Sequence, residues 1–263
     1  MFKNMAKEKI KNNEPLLFAG LTIADPSVAE LMAIAGVDVV LIDNEHMTFD
    51  DSKLVDCIRA VQMHGKAAVL RTSIKDPEII GRYMQFGFDG LCSTVCHGVE
   101  EAKAVVGAVK YPTMGHKGLS SECRASDYGV RDGMGTEEYM KWANENSLVI
   151  ITVESMDGVN EIEQIADLEG VDIVHIGPVD LSASMGLGGV TRTDEIREVL
   201  SKSNKVLAAR GNYNAYFAMG PDDIPGLLDK GAKCIFVPTD IGILRGTLVA
   251  YGKGLADAVA ARK

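Results

Sequence analysis

The sequence predicts an α/β fold of the (β/α)8 TIM-barrel class, and three observations carry that expectation. Short apolar runs alternate with helix-like intervals from one end of the chain to the other. The runs number eight, the count at which a parallel barrel closes. Most are continuously apolar rather than alternating, as strands buried on both faces require. A length of 263 residues suits a single barrel domain over 1–263, with no linker or shift in composition to divide it. A doubly wound open sheet is the rival, but the chain lacks a Gly-rich nucleotide loop.

Taken in order, the first strand is expected at 16–21 (LLFAGL) and the second at 37–43 (VDVVLID). The third is expected at 67–72 (AAVLRT) and the fourth at about 89–95 (DGLCSTV). Asp25-Pro26 and Asp76-Pro77 each put a capping residue before a proline, which opens a helix after the first and third strands. The fifth and sixth strands, 148–154 and 171–177, flank Val159, Ile162, Ile165 and Ala166 at helical spacing. The seventh, about 213–218, rests on the polar and aromatic NYNAYFAMG, and the eighth is 233–238 (KCIFVP). Residues 112–135, rich in Gly and Ser, form a long connection; Lys117 and Arg124 on it could reach a negatively charged substrate, unless the loop is only solvated surface.

Composition narrows the function. Hydrophobic residues make up 46% of the chain, enough for a sizeable core, and the formal charge of −10 argues against nucleic acid or an anionic membrane as partner. No apolar run reaches the length of a membrane span, and MFKNMAKEKIKNNEP lacks the apolar core of a signal peptide. Five scattered cysteines show no disulfide rhythm, so a reducing cytoplasm is the expected location.

Barrel chemistry sits at the C-terminal ends of strands, and four of those ends carry chemical groups. The second strand ends in Asp43-Asn44-Glu45-His46, the third in Arg71-Thr72, the fifth in Glu154, and the sixth runs into Gly177-Pro178-Val179-Asp180. Glu154 and Asp180 are oxygen donors suited to Mg²⁺ or Mn²⁺, with Co²⁺ also compatible. Such an ion could chelate a 2-oxo acid and act as a Lewis acid. Arg71 would neutralise the oxyanion of an enolate, and His46, with acids beside it, suits a general base. Each acid has a plainer reading as a helix N-cap, and the sequence leaves that open for Glu154, Asp180 and Asp43. His175, inside an apolar run, reads as a satisfied barrel residue. Cys92, Cys96 and His97 lie close together, but with no second pair they read as buried thiols beside a strand end rather than a zinc site. No strand interior carries a lysine for a Schiff base; Lys75 and Lys117 lie in connections.

These residues resemble the class II pyruvate-dependent aldolases of the 4-hydroxy-2-oxoheptanedioate and 2-dehydro-3-deoxyglucarate aldolase family over nearly the whole chain. The match is strongest in VDVVLIDNEH (37–46), similar to a strand ending I-D-x-E-H, and in VESMDGVNEIEQIADLEGVDIVHIGPVDLSASMG (153–186), with its G-P-x-D-L-S-x-S-x-G signature. The resemblance implies a barrel of the phosphoenolpyruvate/pyruvate type with an extended C-terminal helix exchanged between subunits, often in a hexamer. It implies a metal held by Glu154 and Asp180 with pyruvate chelated to it, Arg71 on the enolate, and His46 with Asp43 in proton transfer. The turn Gly177, Pro178, Val179 and Asp180 would contact the pyruvate carboxylate. The implied reaction cleaves a 4-hydroxy-2-oxo acid to pyruvate and an aldehyde.

The chain departs from the family in places. Thr152 stands where a Gln is usual at the substrate, and Gln85 where an Asp is thought to support the His. Ser93-Thr94-Val95 replaces V-P-M after the fourth strand, and Gly115-His116-Lys117-Gly118 replaces G-x-R-G. Two rivals follow: an acyl-CoA lyase of the citryl- or malyl-CoA kind on the same barrel, or a non-catalytic relative that binds metal and 2-oxo acid.

Overall fold

The computed structural model describes residues 3–130 and 133–262. Its strands are β1 (Leu16–Leu21), β2 (Val39–Asp43), β3 (Ala67–Thr72), β4 (Gly90–Cys96), β5 (Leu148–Val153), β6 (Ile173–Ile176), β7 (Ala215–Phe217) and β8 (Cys234–Val237). The helices are α1 (Met5–Lys11), α2 (Pro26–Ile34), α3 (Asp51–Gln62), α4 (Pro77–Gln85), α5 (Val99–Val109), α6 (Thr136–Asn146), α7 (Met156–Asn160), α8 (Ile162–Ala166), α9 (Pro178–Ser184), α10 (Asp194–Ala209), α11 (Asp223–Asp229) and α12 (Asp240–Ala260).

All eight strands join one sheet in the order β6-β5-β4-β3-β2-β1-β8-β7. Every ladder is parallel. Rings bring the two end strands together: His175 of β6 lies 5.6 Å from the Phe217 ring of β7. The expected TIM-type barrel is therefore present, with each strand within a few residues of its expected place.

Side chains alternate between two cores, which is why the strands read as unbroken apolar runs. Val39 and Leu41 point into the barrel with Phe18, Val69 and Ile150. Val40 and Ile42 point outward under the helices with Leu70, Leu91 and Val149. Each large side chain so buried is worth about 1.5–3 kcal/mol relative to exposure.

β2 and β6 start two residues later than the apolar pattern suggested and β4 about one, for a shared reason. Val37-Asp38, Val171-Asp172 and, before β4, Phe88-Asp89 lead into the strands as irregular chain. Each follows a glycine at positive φ (Gly36 +99°, Gly170 +94°, Gly87 +89°) that lets the chain leave its helix. Each Asp then reaches back to the preceding strand: Asp38 accepts from Leu17 N–H at 3.1 Å, Asp89 from Ala68 N–H at 2.8 Å, and Asp172 from Val149 N–H at 2.9 Å. β7 is shorter than expected because Tyr213 instead turns its hydroxyl onto the carbonyls of Ile10 and Glu14 at 3.1 and 3.2 Å.

The same rim is covered by α1. Ala6 is fully buried there, Asn4 donates to the carbonyls of Asp89 and Asn146 at 2.7 and 2.8 Å, and Lys7 pairs with Asp172. Asp38 is held by Lys9 at 2.7 Å and Lys66 at 3.1 Å. Burial pushes the Asp38 pKa up, but those hydrogen bonds and the Leu17 amide more than offset it, so it lies below the ordinary value of 3.8. At the other end of the chain α12 buries none of its residues; Val249, Tyr251 and Leu255 are 66%, 75% and 69% exposed. Among the described residues no helix is long and apolar enough to cross a membrane.

Replacing Asp38 by Ala strands the Leu17 amide, and the expected cost in urea unfolding at neutral pH is about 1–3 kcal/mol. A carboxyl whose folded pKa is depressed stabilises only while ionised, so the difference from wild type should close as the pH falls below 3.8. A difference that stays constant through that range would show that the charge does not matter.

Candidate active site

The parallel ladder lines up β2 and β3 so that Asp43 pairs in register with Arg71. Both side chains emerge at the C-terminal rim, and the Arg71 guanidinium meets Asp43 Oδ2 at 2.8 Å and Glu45 Oε2 at 2.9 Å. His46 Nε2 sits 3.4 Å from Arg71 Nη2 and 3.5 Å from Glu45 Oε2, with its ring largely exposed. Burial works against the Arg71 charge, yet Asp43, Glu45 and Glu154 outweigh it and raise its pKa further. The guanidinium is a fixed cation. Asp43 Oδ1 also accepts from the Glu45 and His46 amides, both at 3.1 Å, so Asp43 shapes the turn that presents His46. It caps no helix; the residue before α3 is Asp50.

Glu154 follows β5 and is buried. Its Oε2 accepts from Val95 N–H at 2.6 Å. That amide is available because β4 carries a bulge: its register against β5 shifts between Ser93 and Cys96, and Val95 takes a positive φ of 54°. A β-branched residue there is strained, and strain of this kind gathers at functional positions. On the other side of Glu154 stands Gly177, where any Cβ would come within 2.4 Å of Oε1. Asp180 lies exposed in the first turn of α9. The cap reading fails for both acids, since Ser155 caps α7 and Gly177 precedes α9.

Burial raises the Glu154 pKa, and Asp180 and Glu45 add to the rise, while the Val95 amide and Arg71 oppose it. Two carboxylates close enough to repel are what a divalent cation relieves. The donors are hard oxygens; Cys92, pushed by burial to about 11, stays a thiol. Among the described residues no three His, Cys, Asp or Glu side chains gather as one metal cluster. Glu154 and Asp180 thus fit an ion that takes its other ligands from water and substrate.

The floor of the cleft lies inside the barrel. Thr152 faces Cys92 Sγ at 3.5 Å and pairs in register with His175. His175 is a barrel residue but not a satisfied one, contrary to the sequence reading. Its ring stacks on Phe236 at 4.8 Å, its buried Nε2 has no partner among the described residues, and burial aided by the Arg71 charge pulls its pKa to about 4.

Lys117 and Arg124 lie elsewhere in the fold. The 112–135 segment joins the end of α5 to α6, at the N-terminal rim. Arg124 donates to Gln62 Oε1 at 2.7 Å, Gln62 in turn to Asp89 at 2.8 Å, and Lys117 Nζ sits 4.0 Å above the Tyr111 ring. Both residues line a cavity of about 370 Å³ beside Asn4 and Asp89, across the barrel from Glu154. Sequence reasoning missed Glu45 as the second partner of Arg71, Lys75, and the buried, unpaired Nε2 of His175. Only Glu45 left a signal, as the second acid of DNEH.

Comparison with known proteins agrees with this fold. The HpcH/HpaI aldolase/citrate lyase family matches residues 16–245. The chain is 28% identical over 246 residues to the 5-keto-4-deoxy-D-glucarate aldolase of Escherichia coli (strain K12 / DH10B), covering 93% of this chain and 94% of that protein. Among solved structures, an HpcH/HpaI aldolase/citrate lyase family protein from Burkholderia cenocepacia J2315 superposes with a TM-score of 0.85 at 28% identity, covering 95% and 98% of the two chains. Citrate synthase SbnG gives 0.82 at 26% identity, with the same coverage. The family match and the aldolases among these relatives make the chain a lyase. The chain belongs to the HpcH/HpaI aldolase/citrate lyase family.

A His buried in its neutral form costs stability once the unfolded chain begins to take up protons. Wild-type stability should therefore fall as the pH drops from 6.5 towards about 4. His175→Phe keeps the ring stack and removes the unpaired nitrogen. Its expected effect is a shallower acid-side loss and a gain of about 1 kcal/mol or more at acid pH. An unchanged slope would show that His175 finds a partner in solution.

Proposed function

We propose that this chain is a divalent-metal-dependent aldolase that cleaves a 4-hydroxy-2-oxo acid to pyruvate and an aldehyde and also catalyses the reverse addition. The observation that carries the reading is one rim holding a fixed guanidinium, Arg71, opposite the paired carboxylates Glu154 and Asp180. The sugar-acid aldolases among its relatives support a small, polar substrate.

An ion held by Glu154 and Asp180, Mg²⁺ or Mn²⁺ by the hardness of the donors, would supply Lewis-acid polarisation of the 2-oxo group. Gly177 spends its N–H on Val153 O at 3.0 Å and Pro178 has none, so the first-turn amides of Val179 and Asp180 receive the substrate carboxylate. Thr152 lines the floor beneath it. His46, kept in place by the Asp43 turn, takes the proton of the 4-hydroxyl. The C3–C4 bond then breaks, its electron pair moves to the 2-oxo oxygen as the enolate of pyruvate, and the aldehyde leaves. Arg71 neutralises that oxygen as charge develops. Return of a proton to C3 gives the methyl group of pyruvate. A second copy of the chain, covering the apolar face of α12, accounts for the exposure of Val249, Tyr251 and Leu255.

In D₂O the methyl signal of pyruvate should exchange only when Mg²⁺ or Mn²⁺ is added, followed by NMR. Arg71→Ala should slow that exchange by about 10²–10³-fold with the fold intact by circular dichroism; near-normal exchange would remove the role given to Arg71. Light scattering should find an oligomer, whereas a monomer at micromolar concentration would leave α12 unexplained.

A further inference from the structure

Lys75 has no part in the mechanism above, yet its ammonium is tied to the strained turn behind Glu154. It donates to Ser93 Oγ at 2.7 Å and to the Thr94 carbonyl oxygen. Both acceptors are buried and neutral, and no carboxylate pairs with Lys75 among the described residues. The loop that carries it is anchored on either side, by Ile74 N–H on Thr72 Oγ1 at 3.2 Å and by Asp76 capping α4. The Thr94 carbonyl and the Val95 N–H belong to one peptide group. Lys75 grips its oxygen, and Glu154 accepts from its N–H at 2.6 Å.

We propose that Lys75 is a positioning residue for Glu154, acting through the Thr94–Val95 peptide as a bridge from ammonium to carboxylate. This rests on the reading of Glu154 as a metal ligand. A cation on the peptide oxygen polarises the group and strengthens the bond its N–H makes to a carboxylate. It also favours the positive φ of Val95, which a Val would otherwise resist. With Oε2 held and Gly177 packed against Oε1, the carboxylate keeps one orientation. The same residue reaches the other half of the rim, since Thr94 Oγ1 donates to Glu45 Oε1 at 2.7 Å, and Glu45 holds Arg71.

The test is Mn²⁺ affinity, read from the electron paramagnetic resonance of free Mn²⁺, in the full-length protein. Glu154→Gln should abolish binding; if it binds as wild type, the site reading fails and the proposal falls with it. Lys75→Met keeps the length of the side chain and removes its donors, and it should weaken Mn²⁺ by about 10–100-fold, the range for outer-shell partners. Lys75→Arg, which keeps a cationic donor, should recover most of the affinity and guards against a Met variant that does not fold. Thr94→Val cuts the Glu45 arm but keeps the peptide, so its Mn²⁺ affinity should match wild type. Unchanged affinity in folded Lys75→Met, with binding lost in Glu154→Gln, would overturn the proposal alone. An equal loss in Thr94→Val would overturn the route through the peptide.

Discussion

The rim depends on one half-buried cation. Asp43, Glu45, Glu154 and Asp180 crowd the C-terminal ends of the strands in a chain that already carries a formal charge of −10. Arg71 makes that crowding tolerable by binding two of the acids within 3 Å and acting on Glu154 at longer range. Buried charge pairs of this kind add little net stability, but removing one partner costs about 3–5 kcal/mol because the other is left uncompensated. The pairing is therefore retained for what it places: a cation, preorganised by two carboxylates, where an enolate oxygen would form.

The two ends of the barrel divide the work. At the N-terminal rim Asp38, Asp89 and Asp172 each satisfy a backbone amide of the preceding strand, and cations or amides close over them. These acids are spent on structure. At the C-terminal rim Asp43 and Glu45 hold a cation, Glu154 and Asp180 repel one another, and the backbone carries strain at Val95. Parallel strands impose this division, because every loop that follows a strand opens at the same end.

Much of this was legible in the sequence, for physical reasons. Strands buried on both faces leave unbroken apolar runs, so all eight were found within a few residues. The late starts of β2, β4 and β6 come from Gly-apolar-Asp lead-ins, whose acids look the same in sequence as Asp43 or Glu154. Arg71, Asp43, Glu154 and Asp180 were visible as polar residues ending apolar strands, and the structure brings them to one rim. Lys117 and Arg124, for which the sequence left substrate contact or solvated surface open, sit on a helix-to-strand connection at the opposite rim beside Asn4 and Asp89. Lys75 left no trace, since its partners are a hydroxyl and a carbonyl exposed by a bulge that no local pattern announces. His175 reads as core in sequence, and only its unpaired Nε2 sets it apart.

The central claim is that Glu154 and Asp180 share an ion facing Arg71. The most direct measurement is a crystal structure with Mn²⁺ and oxalate, a planar dicarboxylate shaped like the enolate of pyruvate, read by anomalous scattering at the manganese edge. The expected result is one strong peak between Glu154 and Asp180, with an oxalate oxygen against Arg71. A peak at other residues, or oxalate bound away from Arg71, would contradict the account.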